Sequence, residues 1–110
     1  MTFKYGKDHL TTGKALQILS GQLKGTIAQA TRRAIQRNHD EVLAIAQGDR
    51  TVYGINTGFG PLCDTKISKE DTSQLQRNLL LSHSVGVGAP IDQELSKLMM
   101  ILRVHALSKG

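Results

Sequence analysis

Residues 91–108 read IDQELSKLMMILRVHALS, and their spacing decides the fold class. Leu95, Leu98, Met99, Leu102 and Ala106 recur at i, i+3, i+4, i+7 and i+11, the period of one face of an α-helix. The run LMMIL at 98–102, with Val104 and Leu107 after it, extends the apolar surface around much of the circumference. A helix of that kind sits inside a large core. A chain of 110 residues buries too small a fraction of its surface to cover it alone. The expectation is therefore a piece of a longer protein, or an obligate oligomer.

Upstream, the same period repeats. SKED at 68–71 is a partial capping box, with Asp71 where Glu or Gln is usual. It opens a helix whose stripe carries Leu75, Leu79 and His83, with Ser82 and Gly86 beside it, and GVGAP ends it. Ile27, Ala30, Ala34, Ile35, Leu43 and Ile45 predict another helix from about 26 to 46, with a bend or restart at QRNHDE (36–41) and a stop at Gly48-Asp49. Thr11-Thr12 caps a short helix through Leu19, and Phe3 and Tyr5 alternate with polar neighbours as a short strand or arm. The fold class is mainly α, read as one unit over 1–110 with a glycine-rich loop at 49–67.

Composition narrows the functional classes. Fourteen Lys and Arg against nine Asp and Glu give a net charge of +5, which raises a phosphate-rich partner. The basic residues are scattered, however, and four aromatic rings are too few to stack on bases. A solvated surface is the better reading, without a nucleic-acid partner. The single cysteine, Cys63, permits no internal disulfide and is read as a small loop or core residue. MTFKYGKDHL lacks the apolar core of a signal peptide, and no apolar run approaches the ~18 residues of a membrane span. The expected location is cytoplasmic, away from membranes.

The loop holds the chemistry-bearing stretch TVYGINTGFG, residues 51–60. It matches neither glycine pattern of a phosphate cradle. His9, His39, His83 and His105 are dispersed without metal-ligand spacing, so no metal is expected. Two readings stay open. Its glycines either satisfy turns in an ordinary surface loop, or they are hinges of a mobile active-site loop that presents Tyr53.

YGINTGFG at 53–60 followed by LQRNLLLSHSVGVGAP at 75–90 resembles the N-terminal region of the aromatic amino acid lyase family, most closely its histidine-selective members. The resemblance is strong from about Asp49 to Gly110, and the first 48 residues are compatible with it. It implies the helical, L-aspartase-like fold, a homotetramer, and elimination of ammonia from an aromatic amino acid. For L-histidine the product is trans-urocanate. It also implies a 4-methylideneimidazole-5-one electrophile, formed in that family from an internal Ala-Ser-Gly. No Ala-Ser-Gly occurs in these 110 residues, so the chain alone is expected to be inactive.

By the same resemblance Tyr53 matches the base that takes the β-hydrogen. A free phenol ionises near pH ~10, so such a base needs surroundings that favour phenolate. His83 matches the position against the substrate's ring, with Ser82 beside it; the Ser-His pair resembles histidine-selective members rather than tyrosine- or phenylalanine-selective ones. Gly54, Gly58 and Gly60 become the hinges of the loop. The alternatives are a tyrosine or phenylalanine ammonia-lyase, an aminomutase, or a non-catalytic binding or assembly module on the same N-terminal fold.

Overall fold

A computed structural model describes residues 1–63 and 65–110. Asp64, inside the loop read at 49–67, lies outside the described residues. The elements run β1 (Thr2–Lys4), α1 (Thr12–Leu19), β2 (Lys24–Thr26), α2 (Gln29–Gln47), a 3₁₀ turn (Gly60–Leu62), α3 (Lys69–His83) and α4 (Gln93–Leu107). The class is mainly α with a short N-terminal strand, as expected. Internal contacts gather into two compact units, 1–38 with 89–110, and 39–88.

In the first unit β1 pairs in parallel with β2, matching Thr2 to Lys24, Phe3 to Gly25 and Lys4 to Thr26. Parallel strands need a crossover, and α1 provides it. Thr11 caps α1 as its spacing predicts, its hydroxyl accepting the Lys14 amide at 3.3 Å. Phe3 is only 2% exposed and forms the core with Ile18, Leu23 and Ile101. α1 packs on α4. The Tyr5 ring meets Phe3 edge-on at 5.4 Å, and His105 of α4 lies 5.5 Å from Phe3. His105 Nδ1 accepts the Gly6 amide at 3.3 Å.

β2 has no signal in the sequence, because three residues with a central glycine show no alternation. It is a strand only because β1 lies beside it, and it pushes the start of α2 to Gln29. The bend expected at QRNHDE does not occur; α2 runs unbroken through 36–41. That stretch has neither glycine nor proline, and its polarity marks exposed positions rather than a weak helix.

Two further boundaries differ. α3 ends at His83 with Ser84 as cap, so Gly86 lies beyond the helix and off its stripe. α4 begins at Gln93 rather than Ile91, since Asp92 Oδ1 accepts the amides of Glu94 and Leu95 and fixes the start. Only Ile101 of α4 is buried. Leu95, Met99, Met100, Leu102 and Leu107 are all at least half exposed, in keeping with a helix made for more core than this chain supplies. No helix among the described residues is long and apolar enough to cross a membrane.

Candidate active site

Tyr53 occupies the corner of a tight turn. The Val52 carbonyl accepts the amides of Ile55 at 3.1 Å and Asn56 at 3.3 Å, which leaves Tyr53 and Gly54 at the turn's centre. Gly54 has φ 78°, the left-handed value that the second central residue of a type II turn demands, and that demand explains the glycine. A corner residue projects its side chain, and Tyr53 is 62% exposed. The Phe59 ring meets it edge-on at 5.8 Å. The Gly60 amide donates to the Tyr53 hydroxyl oxygen at 3.5 Å, so a donor faces the atom that carries the charge once the phenol loses its proton.

The remaining glycines do different work. Gly60, at φ 58°, opens the 3₁₀ turn. Gly58 is buried, and a Cβ there would come within 2.7 Å of both the Leu62 carbonyl oxygen and its Cβ. Its amide donates to the Thr65 carbonyl at 3.1 Å. At this position close packing is what excludes a side chain.

What holds the loop is polar. Asn56 and Thr57 are 1% and 0% exposed. Asn56 Oδ1 accepts the Val52 amide at 2.8 Å and its Nδ2 donates to the Arg50 carbonyl at 2.9 Å. Thr57 Oγ1 accepts the Gly54 amide at 3.2 Å and donates to the Gly58 carbonyl at 2.9 Å. Outside the turn, Thr57 bridges Lys66 in antiparallel sense and the Ile67 amide donates to the Asn56 carbonyl. From α3, Gln76 Nε2 donates to the Gly54 carbonyl at 3.2 Å. Gly54 and Ile55 also line an open groove of about 340 Å³ with Val42, Leu43 and Ala46 of α2. Sequence reading, drawn to glycines and rings, missed Asn56, Thr57 and Gln76. The signal available was Asn-Thr directly after a turn, a pair whose side chains bond nearby backbone.

α3 starts where Ser68 predicts: its hydroxyl accepts the Asp71 amide at 3.2 Å, while Asp71 Oδ2 accepts the hydroxyl proton at 2.7 Å. Fifteen residues on, the helix delivers Ser82 and His83 to its last turn, both exposed. His83 Nδ1 is 2.9 Å from the Leu79 carbonyl, which only accepts, so the ring proton sits on Nδ1. With Nδ1 carrying the proton of a neutral imidazole, Nε2 is the acceptor. Ser82 Oγ also donates to the Leu79 carbonyl and lies 3.1 Å from His83 Nδ1, which helps fix the ring. The structure thus brings Ser82 to His83, and Tyr53 to Phe59 and Gly60. No hydrogen bond or ring contact joins Tyr53 to Ser82 or His83 among the described residues. No group of three or more potential metal ligands gathers among them either.

The sequence pattern of the family described as aromatic amino acid lyase matches residues 10–110. The histidine ammonia-lyase of Shouchella clausii is 44% identical over 107 residues, covering 92% of this chain and 21% of that protein. That of Yersinia enterocolitica is 39% identical across 100% of this chain and 21% of its own length. The chain therefore spans about a fifth of the curated relatives it matches. Among solved structures, a tyrosine aminomutase from Streptomyces globisporus superposes with a TM-score of 0.87 at 23% identity, over 100% of this chain and 21% of that one. This second likeness speaks to the fold, and the first to descent: the chain belongs to the aromatic amino acid lyase family.

Proposed function

We propose that these residues form the N-terminal part of a histidine ammonia-lyase, in which Tyr53 takes the β-proton of L-histidine and Ser82-His83 meets its imidazole. The observation that carries the reading is the Tyr53 turn, which exposes a phenol with the Gly60 amide aimed at its oxygen. Identities of 39–44% to histidine ammonia-lyases favour histidine over other aromatic substrates. In the elimination, phenolate oxygen accepts the β-proton, the C–H electron pair becomes the Cα–Cβ double bond, and nitrogen leaves as ammonia with its bonding pair. The acceptor Nε2 of His83 suits an N–H of the substrate ring.

The 4-methylideneimidazole-5-one of the family would supply the electrophile that activates the substrate. Its Ala-Ser-Gly precursor is not in these residues, so they do not fit its formation, and this segment alone is inactive on the proposed reading. The active form is a cytoplasmic homotetramer of the longer chain, without metal.

The experiment is turnover of the longer enzyme carrying Tyr53→Phe or His83→Leu, on L-histidine and on L-tyrosine. Losing the base lowers urocanate formation by about 10²–10⁴-fold. Losing the ring acceptor lowers preference for L-histidine by about five- to tenfold. Near-normal turnover of Tyr53→Phe overturns the base, and an unchanged substrate profile of His83→Leu overturns the pocket role.

A further inference from the structure

We propose that Asn56 and Thr57 are positioning residues, which hold Tyr53 by the two amides on either side of it. The inference rests on the reading of Tyr53 as the base. The Tyr53 side chain is largely exposed, with one long hydrogen bond and one ring contact. Its place is set through the backbone. Asn56 Oδ1 holds the preceding amide, that of Val52, and Thr57 Oγ1 holds the following one, that of Gly54. No other pair of side chains among the described residues brackets a residue of this loop in that way.

The bracket is itself anchored. Asn56 and Thr57 are buried, and the backbone from 56 to 58 is tied to 65–67 by the Ile67-to-Asn56 and Gly58-to-Thr65 hydrogen bonds. Gln76 of α3 holds the Gly54 carbonyl. A loop latched at the amides before and after its reactive residue is a prebuilt platform. Orientation at that accuracy matters to rate, because a reacting group displaced by ~1 Å can lose about 100-fold.

The residue types follow from the bonds. Asn56 uses both ends of its amide, accepting from Val52 and donating to Arg50. A carboxylate of the same size cannot donate. Thr57 needs a hydroxyl, since Oγ1 both accepts from Gly54 and donates to Gly58. Serine keeps that hydroxyl, and valine removes it at nearly constant shape.

The test uses the longer enzyme with L-histidine as probe: Thr57→Val, Thr57→Ser and Asn56→Asp, each alone and with Tyr53→Phe, measuring kcat, KM and the thermal midpoint. Thr57→Val is expected to lower kcat by up to about 100-fold with KM little changed and the thermal midpoint lowered by the two interior hydrogen bonds left unmade, and Thr57→Ser to restore most of the kcat. Asn56→Asp lowers kcat in the same sense. In the Tyr53→Phe background the Thr57 change should add almost nothing, as expected for a residue acting through Tyr53. Normal kcat in Thr57→Val overturns the proposal while leaving the base intact, provided Tyr53→Phe is impaired. So does an equal further loss in the double variant, or a loss confined to folding. If Thr57→Val fails to assemble, the serine and aspartate variants decide by the same kcat criterion. Near-normal Tyr53→Phe removes the base reading itself.

Discussion

The two compact units are closed by opposite means. In the first, formed by 1–38 and 89–110, the most buried side chain is Phe3, packed on Ile18, Leu23 and Ile101. In the second, 39–88, the most buried side chains are Asn56 and Thr57, each held by hydrogen bonds. Apolar burial is non-directional and scales with area. Hydrogen bonds contribute little net stability, but they fix direction, and leaving one unmade in the interior is costly. The difference teaches where each is useful. A scaffold can be packed by any well-fitting apolar set, whereas a loop that aims one phenol benefits from bonds with geometry.

By that contrast, damage to the two units separates into lost stability and lost rate. The largest effect on stability belongs to Phe3→Ala, which empties the apolar core and should cost about 3–5 kcal/mol. Denaturant unfolding of the longer enzyme checks it, and the folded fraction should retain its kcat. A kcat that falls with the core would break the comparison.

Next comes Gly58→Ala, whose methyl group would be forced against Leu62. Overpacking of this kind costs about 1–3 kcal/mol, and here kcat should fall as well, because Gly58 adjoins the latch. A stable variant with normal turnover would show that the loop tolerates displacement.

The smallest effect is a pH dependence in the first unit. Burial, then the charges of Lys109 and His9, lower the His105 pKa from its ordinary value of 6.5, with Asp8 opposing. The unfolded chain therefore takes up this proton before the folded one does. Stability from this group is present above pH 6.5 and is lost as pH falls from there through the folded pKa. The Gly6 amide bond to Nδ1 disappears with it. Unfolding titrations of wild type and His105→Gln should converge at low pH; parallel curves would discount the histidine.

Much of this was legible in the residues. The period of α4 and the caps at Thr11 and Ser68 follow from local chemistry that the chain carries wherever it is placed. β2 was not legible because its pairing is a property of β1 and the crossover, not of Lys24–Thr26. The polarity of QRNHDE reports exposure rather than a weak helix, so no bend follows from it. At the site, Tyr53 and the Ser82-His83 pair stood out by residue type and resemblance. Asn56 and Thr57 did not, since a polar residue gives no local sign that it will be buried, and the Gly58 contact with Leu62 exists only once the loop has closed.

The first unit is also discontinuous in the chain, with Phe3, Ile18 and Leu23 at one end and Ile101 at the other. During synthesis Ile101 follows Leu23 by 78 residues (101 − 23), a delay of roughly 4–16 s at the usual pace of elongation. Through that interval Phe3, Ile18 and Leu23 lack Ile101, whereas 39–88 is contiguous in sequence and is complete 13 residues (101 − 88) before Ile101 is added. The segment bearing the tyrosine is thus complete in the nascent chain before the apolar core that Ile101 closes.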